Sequence, residues 1–315
     1  MIEVKNIVKK YGDKYAVNDI SFSIGSGEIV GFLGPNGAGK STTMNIITGY
    51  LSANSGSVTI DGADILDQPT KAKSMIGFLP EQPPLYMDMT VKEYLNFAYD
   101  LKNCKFPREP HIKEICELIQ ITDVMGRMIK NLSKGYKQRV GFAQALIGNP
   151  PVLILDEPTV GLDPRQIIEI RSLIKKLGKT HTVILSTHIL QEVQSVCDRI
   201  IIINKGKIVA DGDTENLSYK VSGNRKFIVR ISGPKNDIIK TLRSIDSVIK
   251  VDALTKKEEG AYDYLVESLP NVDIRKMMFG ELAKKNWPIL GLRSMDMSLE
   301  DVFVQLITNE SGEEE

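Results

Sequence analysis

Apolar and polar positions alternate through much of the amino-terminal part of the chain. MIEVKNIVKKYG and YAVNDISFSIGSGE alternate in this way and predict antiparallel strands, and GSVTIDG predicts a further short strand. Between them, EIVGFLGPNGAGKST begins with an apolar run and continues into glycines and a helical pattern. We therefore expect a buried strand, a glycine-rich turn and a helix here, beside an antiparallel β subdomain.

From Thr90 onward the apolar residues recur with helical spacing, and Pro107 and Pro110 are expected to break that pattern in the middle. The same spacing returns in LSKGYKQRVGFAQALIG, before Pro150. These segments predict a helical insertion over about residues 90–150.

Three later segments predict strands of a parallel sheet. PVLILDE is almost continuously apolar, as a strand covered on both faces requires, and TVILST and RIIIINKGKIVADG are similar. Asp163 and Pro164 supply a capping carboxylate and a proline at the first helical position, so they predict the start of a helix. The alternation of strands and helices predicts an α/β core.

A polar, glycine-containing seam near residues 218–225 precedes a second group of elements. Their predicted order is strand, helix, strand, strand, helix, strand, which is the ferredoxin-like βαββαβ arrangement. A turn is expected at KKEEG, and Ser298 opens a capping box for a last helix. We predict a first domain over 1–220, a C-terminal accessory α+β domain over 223–309 and an acidic, disordered tail over 310–315.

Composition narrows the classes of function. The chain has 315 residues, 42% of them hydrophobic and 25% charged, and no formal net charge. A neutral balance argues against nucleic acid as a partner, because phosphate backbones select basic surfaces. The apolar runs are far shorter than the roughly 20 residues of a membrane span. With no secretory signal and no metal-ligand spacing among three cysteines, we expect a cytoplasmic protein.

The segment GPNGAGKST, from Gly34 to Thr42, has the form of a phosphate-binding loop. Its glycines let backbone N–H groups approach a polyphosphate, Lys40 supplies a positive charge, and Ser41 can reach Mg²⁺. Further along, Asp156 ends an apolar strand, where a carboxylate costs desolvation free energy unless it faces an ion. Together these features predict a site for a nucleotide and a divalent cation.

Five motifs follow one another in a fixed order along the chain. They are the phosphate-binding loop, Gln82 in FLPEQPP, LSKGYKQR, LILDEPTVGLDP, and STH, which ends at His188. In this order and at these spacings they resemble the nucleotide-binding subunits of ATP-binding-cassette (ABC) transporters. The resemblance implies a P-loop ATPase fold that hydrolyses ATP with Mg²⁺.

The resemblance also implies roles for individual side chains. Glu157 matches the general base that polarises the attacking water, and His188 matches a residue that hydrogen-bonds the γ-phosphate. Gln82 matches the loop glutamine that reaches Mg²⁺ and the water, while Ser41 and Asp156 match residues that hold or support Mg²⁺. Nucleotide contacts are implied for the residues of the phosphate-binding loop: Gly34, Asn36, Gly37, Ala38, Gly39, Lys40, Ser41 and Thr42.

The segment LSKGYKQR departs from the family pattern LSGGQ. Lys134 replaces the first glycine and Tyr136 replaces the glutamine, whereas Ser133 and Gly135 remain. A serine hydroxyl and N–H groups at a helix N-terminus still form an anion-binding end, to which Lys134 adds a positive charge. Ser133, Lys134 and Gly135 are therefore implied to contact the ATP that a second subunit binds.

The adenine contact is the least direct of these assignments. Tyr11, in KKYGDKYAV, matches the aromatic residue that stacks on adenine in the family. A tyrosine of a strand can equally serve only for packing, and Tyr15 lies close by. Both interpretations stay open at the level of sequence.

The resemblance implies two kinds of partner. One is a second copy of the chain or a homologous ATP-binding subunit, joined head to tail with two nucleotides in the interface. The other is a separate integral-membrane permease, which would hold the protein at the inner face of the cell membrane. PPLYMDMTVKEY, after Gln82, lies where such a permease would dock, although its apolar residues could equally belong to the core.

LSKGY and the carboxy-terminal SLEDVFVQLIT resemble one subset of the family. These subunits serve exporters of drugs, lipids, polysaccharides, antimicrobial peptides and gliding-motility components. The alternatives are an importer subunit and a soluble ABC ATPase that is not coupled to transport. The chain has a single phosphate-binding loop and no sustained heptads, which disfavours the soluble class.

Overall fold

The computed structural model describes residues 1–213, 225–258, 260–269, 272–294 and 299–309. Its contacts divide the chain into two units, Met1–Gly212 and Asp213–Glu315. The seam expected near residues 218–225 falls mostly outside the described ranges, as do Ser298 and the acidic tail from Glu310. Within those ranges, no helix has the length and apolar character needed to cross a bilayer.

The first unit opens with the predicted antiparallel sheet. Its strands are arranged in the order β2-β1-β4-β5. The apolar positions of β1 face inward, since Ile2 and Val4 are buried while Glu3 and Lys5 are exposed. The strands are β1 (Ile2–Tyr11), β2 (Lys14–Ile24), β4 (Ser55–Ile60) and β5 (Ala63–Asp64).

A second sheet has the order β10-β9-β3-β8-β7-β6. β3 pairs in parallel with β8 and β9, and β7 pairs in parallel with β6 and β8. Every residue of β3, β7 and β8 is buried, which confirms the expectation drawn from their continuous apolar runs. The strands are β3 (Ile29–Leu33), β6 (Ile76–Leu79), β7 (Val152–Asp156), β8 (Thr182–Thr187), β9 (Arg199–Asn204) and β10 (Lys207–Asp213).

One apolar core joins these two sheets. Phe22 of β2 packs on Phe32 of β3 with ring centroids 5.7 Å apart. Met44, in the helix after the phosphate-binding loop, belongs to the same cluster and is fully buried. The loop is therefore anchored at both ends by buried segments, so its backbone is held in place by the core.

The helices predicted after the phosphate-binding loop, over about residues 90–150 and from Asp163 are present, whereas the helices Pro69–Ser74 and Leu190–Val196 were not predicted. Pro107 lies just before α4, as expected, but the prediction that Pro110 breaks a helix was wrong. Pro110 lies in the first turn of α4, where its missing N–H would have no intrahelical partner. The helices are α1 (Lys40–Ile47), α2 (Pro69–Ser74), α3 (Val91–Leu101), α4 (Arg108–Ile119), α5 (Lys134–Leu146), α6 (Pro164–Leu177) and α7 (Leu190–Val196).

The second unit has a four-stranded sheet in the order β12-β13-β11-β14, with antiparallel pairing of each neighbouring pair. Phe227, Val229 and Tyr264 lie in a core of its own. β12 continues to Glu258, so the turn expected over KKEEG is shorter than predicted. The elements are β11 (Arg225–Ser232), α8 (Lys235–Arg243), β12 (Val248–Glu258), β13 (Ala261–Ser268), α9 (Arg275–Ala283), β14 (Ile289–Ser294) and α10 (Leu299–Asn309).

Candidate active site

The phosphate-binding loop connects β3 to α1. Gly39 is the N-cap residue of α1 and has a φ of 109°, and a Cβ there would collide with the backbone oxygen of Ala16. Glycine is required at this position, because it alone adopts this backbone conformation without strain and leaves room for the neighbouring chain. Gly34, Ala38 and Gly39 are buried, Asn36 and Gly37 are exposed, and Ser41 and Thr42 lie in the first turn of α1.

The side chain of Lys40 is buried, with 6% of it exposed. Its Nζ donates hydrogen bonds to the backbone oxygens of Gly34 at 2.8 Å and Pro35 at 3.2 Å. Glu157 Oε1 lies 3.4 Å from the same Nζ. The lysine thus brings the loop and the end of β7 together around one positive charge.

Asp156 ends β7 and is 4% exposed. Its Oδ1 is buried and has no hydrogen-bond partner among the described residues. Burial raises the pKa of this carboxyl group, and the hydroxyl groups of Ser186 and Ser41 act in the opposite direction. A buried carboxylate with an unpartnered oxygen suits a bound cation, because a cation would offset its desolvation cost.

Glu157 follows β7 with a left-handed backbone, φ 48°, and only 6% of its side chain is exposed. Its N–H donates to the backbone oxygen of Ser186 at 2.9 Å. His188 Nδ1 lies 2.9 and 3.0 Å from the two carboxylate oxygens of Glu157. Glu157 therefore contacts both Lys40 and His188, and the strained backbone indicates that the surrounding structure fixes its direction.

Gln82 follows β6 and is exposed. Together with Ser41 and Asp156 it lines a cavity of about 660 Å³. The three residues expected to hold a metal ion therefore border one space. Tyr11, by contrast, ends β1, is 55% exposed as a residue and has Lys9 Nζ 5.6 Å from its ring centroid, so it is not a core residue.

The LSKGY segment forms the N-terminus of α5. Ser133 is the N-cap residue, and its Oγ accepts a hydrogen bond from the Tyr136 N–H at 3.3 Å. Lys134 is exposed, and its Nζ lies so close to Gly161 that a Cβ on this glycine would collide with it. Gly135 is packed against the side chain of Gln166 in α6. The segment thus lies beside the loop of residues 161–163 that precedes α6.

Two histidines that belong to none of the five motifs are buried. His111 is 8% and His181 is 7% exposed. His111 Nε2 accepts a hydrogen bond from the Gly148 N–H at 3.0 Å, and His181 Nε2 lies 3.1 Å from Asn149 Oδ1. Burial lowers the pKa of His111. Both side chains hold the turn between α5 and β7, a role that no local sequence signal indicates.

Comparison with known proteins identifies the family of the chain. The family model described as "ABC transporter" matches residues 17–160. The chain is 35% identical to the "uncharacterized ABC transporter ATP-binding protein YhcH" of Bacillus subtilis, over 100% of this chain and 98% of that protein. It is 33% identical to the linearmycin resistance ATP-binding protein LnrL of Bacillus subtilis, over 97% of this chain and 98% of that protein.

A further relative is the bacitracin transport ATP-binding protein BcrA of Bacillus licheniformis, 30% identical over 98% of this chain and 97% of that protein. Among solved structures, the ATP-binding cassette MJ0796, a dimer in a post-hydrolysis state bound to ADP and Pi, is 30% identical with a TM-score of 0.62. The match covers 68% of this chain and 98% of the MJ0796 chain.

The fold and the phosphate-binding site define a P-loop ATPase. The chain belongs to the ABC transporter family and is the ATP-binding, ATP-hydrolysing subunit of such a transporter.

Proposed function

We propose that this subunit hydrolyses MgATP in a head-to-tail dimer and thereby drives a separate export permease. The observation that carries the proposal is the position of Glu157, which lies between Lys40 of the phosphate-binding loop and His188. A base placed beside both a phosphate-binding cation and a second polar group can orient a water for in-line attack. The role of each side chain is proposed from this geometry and from the family resemblance.

Hydrolysis requires that the phosphates be held and their charge neutralised. The loop residues Gly34, Asn36, Gly37, Ala38 and Gly39, with Lys40, Ser41 and Thr42, would hold the phosphates through N–H groups and one ammonium. Ser41, Gln82 and Asp156 would hold Mg²⁺, which supplies positive charge against the phosphate oxygens. The unpartnered Oδ1 of Asp156 supports this assignment.

Glu157 is the proposed general base, and it removes a proton from the attacking water at its carboxylate. His188 would donate a hydrogen bond to the γ-phosphate from the ring that also contacts Glu157. Gln82 would orient the water from the cavity that it lines together with Ser41 and Asp156. Tyr11 would stack on adenine, since its exposed ring is available for this contact.

Ser133, Lys134 and Gly135 would act on the nucleotide that a second subunit binds. Ser133 and Lys134 are exposed at the start of α5, where N–H groups and a positive side chain favour an anion. A dimer of the related cassette MJ0796 supports this proposal. The second subunit would be another copy of this chain or a homologous ATP-binding subunit.

Export is the favoured direction of transport, because relatives that cover 97% and 98% of this chain are named for linearmycin resistance and bacitracin transport. The permease would contact Tyr86 and Met87, which are 52% and 44% exposed, and the ring centroid of Tyr86 lies 6.1 Å from that of the core residue Tyr94. The protein would then lie in the cytoplasm on the inner face of the cell membrane. An importer subunit and a soluble ABC ATPase are less consistent with these relatives.

The C-terminal residues 223–309 would form a ferredoxin-like accessory domain without catalytic residues. The order of strands and helices and the separate apolar core support this assignment. Such a domain would modulate dimerisation or permease contact. None of the residues proposed for hydrolysis lies in it.

Two variants test the catalytic proposal. Glu157→Gln keeps the size of the side chain but cannot accept the proton, so turnover should fall at least about 100-fold while ATP still binds. Lys40→Ala should instead weaken ATP binding itself. Near wild-type turnover of Glu157→Gln, measured by phosphate release, would show that Glu157 is not the base.

The same Glu157→Gln variant tests the dimer. With ATP and Mg²⁺ it should shift from monomer to dimer in light scattering, because the nucleotide is retained in the interface. Adding Ser133→Arg should prevent this shift by placing bulk and charge at the shared phosphate site. An unchanged dimer in the double variant would rule out Ser133 as an interface contact.

A further inference from the structure

Glu192 is a carboxylate that is only 1% exposed, in the first turn of α7. Its Oε1 accepts a hydrogen bond from Thr159 Oγ1 at 2.5 Å, and its Oε2 accepts one from Thr187 Oγ1 at 3.0 Å. Arg171 Nη2 of α6 lies 3.9 Å from Oε1. Both carboxylate oxygens are therefore engaged, which is what allows a charged group to remain in the interior.

The two threonines belong to the segments that carry the proposed catalytic residues. Thr159 lies two residues after Glu157, and Thr187 lies immediately before His188. Thr187 Oγ1 also accepts a hydrogen bond from the Ile189 N–H at 3.1 Å. Its hydroxyl proton is thus directed to Glu192, and the backbone on both sides of His188 is tied to one hydroxyl group.

We infer that Glu192 is a positioning residue that fixes the spacing between Glu157 and His188. It bonds to one segment through Thr159 and to the other through Thr187, so a single rigid carboxylate sets their separation. The 2.9 Å contact between His188 Nδ1 and Glu157 lies between these two segments. This inference rests on the catalytic roles proposed for Glu157 and His188.

The expected consequence is kinetic. Misplacement of a reacting group by about 1 Å can lower a rate 100-fold even when the altered residue is remote from the reacting atoms. No hydrogen bond in the structure joins the Glu192 side chain to the described residues of the phosphate-binding loop, so ATP binding should be spared. A residue that served only for stability would lower the melting temperature without separating kcat from KM.

The experiment uses the full chain and measures ATP hydrolysis. Glu192→Ala should lower kcat by about 10-fold or more and change the KM for ATP by less than about 2-fold. Glu192→Gln, which keeps the volume and one acceptor oxygen, should have an intermediate effect. Ser195→Ala is the matched control, because Ser195 Oγ donates to the backbone oxygen of Glu192 in the same helix and not to its carboxylate. It should retain wild-type kcat.

A second pair of variants distinguishes the loss of the hydrogen bond between Thr159 and Glu192 from general destabilisation of the fold. Thr159→Val removes one donor to the carboxylate and should lower kcat in the wild-type background. In the Glu192→Ala background the same change should have almost no further effect, because the shared contact is already lost. Fully multiplicative effects of the two substitutions would contradict the inference.

Hydrogen–deuterium exchange provides a readout that is independent of turnover. Exchange at residues 157–162 and 187–189 should rise in Glu192→Ala and Glu192→Gln but not in Ser195→Ala. Wild-type kcat or unchanged exchange in the Glu192 variants would overturn the inference, and Glu192→Gln decides if Glu192→Ala does not fold. An active Glu157→Gln variant with raised exchange in the Glu192 variants would contradict the proposed base alone.

Discussion

Two aspartates with the same burial show how the two units of the chain differ. Asp156 in the ATP-binding unit and Asp263 in the carboxy-terminal unit are each 4% exposed. Asp263 accepts a hydrogen bond from Arg230 Nε at 2.7 Å, whereas Asp156 has a buried oxygen with no partner among the described residues. Burial alone therefore does not indicate function. The difference lies in whether both carboxylate oxygens have hydrogen-bond partners among the described residues, as those of Asp263 do.

The first prediction concerns Asp156, whose buried Oδ1 has no hydrogen-bond partner among the described residues. Asp156→Asn keeps the shape of the side chain but removes a negative charge that is costly to bury without a cation. We expect ATP hydrolysis to fall at least about 100-fold, while the melting temperature stays unchanged or rises. Phosphate release in the presence of Mg²⁺ measures the loss of hydrolysis. Thermal unfolding in the absence of Mg²⁺ measures the change in melting temperature. A marked loss of stability would mean that Asp156 has a structural role like that of Asp263.

Asp263→Asn is the matched test in the other unit, and the opposite pattern is expected. Losing the charged hydrogen bond from Arg230 should destabilise the carboxy-terminal unit by about 1–3 kcal/mol. ATP hydrolysis should stay near the wild-type rate, since no proposed catalytic residue lies in that unit. Urea unfolding followed by the fluorescence of Trp287, which packs against its core, reports on this unit. A selective loss of turnover would contradict the comparison.

The two aspartates also show what sequence can and cannot predict. Asp156 was identifiable because it ends an apolar strand in a recognisable motif, and the helix start at Asp163 was confirmed because N-capping is local. Asp263 carried no signal, since its partner lies on another strand, 33 residues away in sequence. Residues whose role depends on pairing between distant segments cannot be identified from local pattern.

The same reason explains the other failures. Burial of His111 depends on the turn after α5, which lies 37 residues further along the chain. Glu192 looks like a surface residue of a short helix, and only the approach of Thr159 makes it part of the site. Motifs therefore located the proposed reacting groups, but the groups that hold them in position became visible only in three dimensions.

Truncation tests whether the two regions are independent. A chain ending at Leu217 retains the core that joins the two sheets of the first unit and every proposed ATP-binding residue. We expect it to be soluble and to bind ATP with an affinity within about 3-fold of the full chain, with altered dimerisation or turnover. Equilibrium binding of a fluorescent ATP analogue measures this. An insoluble product would show that the carboxy-terminal residues complete the main core.

The last prediction has the smallest expected effect. It tests whether a buried polar group of the ATP-binding unit that has a hydrogen-bond partner contributes to stability without affecting the ATP site. His111 is buried but paired, since its Nε2 accepts a hydrogen bond from the Gly148 N–H. Burial lowers its pKa below the value of 6.5 that an unfolded chain would have. As the pH falls through 6.5, the unfolded state therefore takes up the proton first, and the folded state loses stability as the pH approaches the lowered pKa.

His111→Gln keeps an acceptor for Gly148 and does not titrate in this range. Acidification from pH 7.5 to 5 should therefore lower the melting temperature of the wild type more than that of the variant, by no more than about 2–4 °C. The KM for ATP at pH 7.5 should not change, because His111 is not among the proposed ATP-binding residues. An equal loss in both proteins would show that protonation of His111 does not contribute. A changed KM would mean that even a paired buried group in this unit acts on the site.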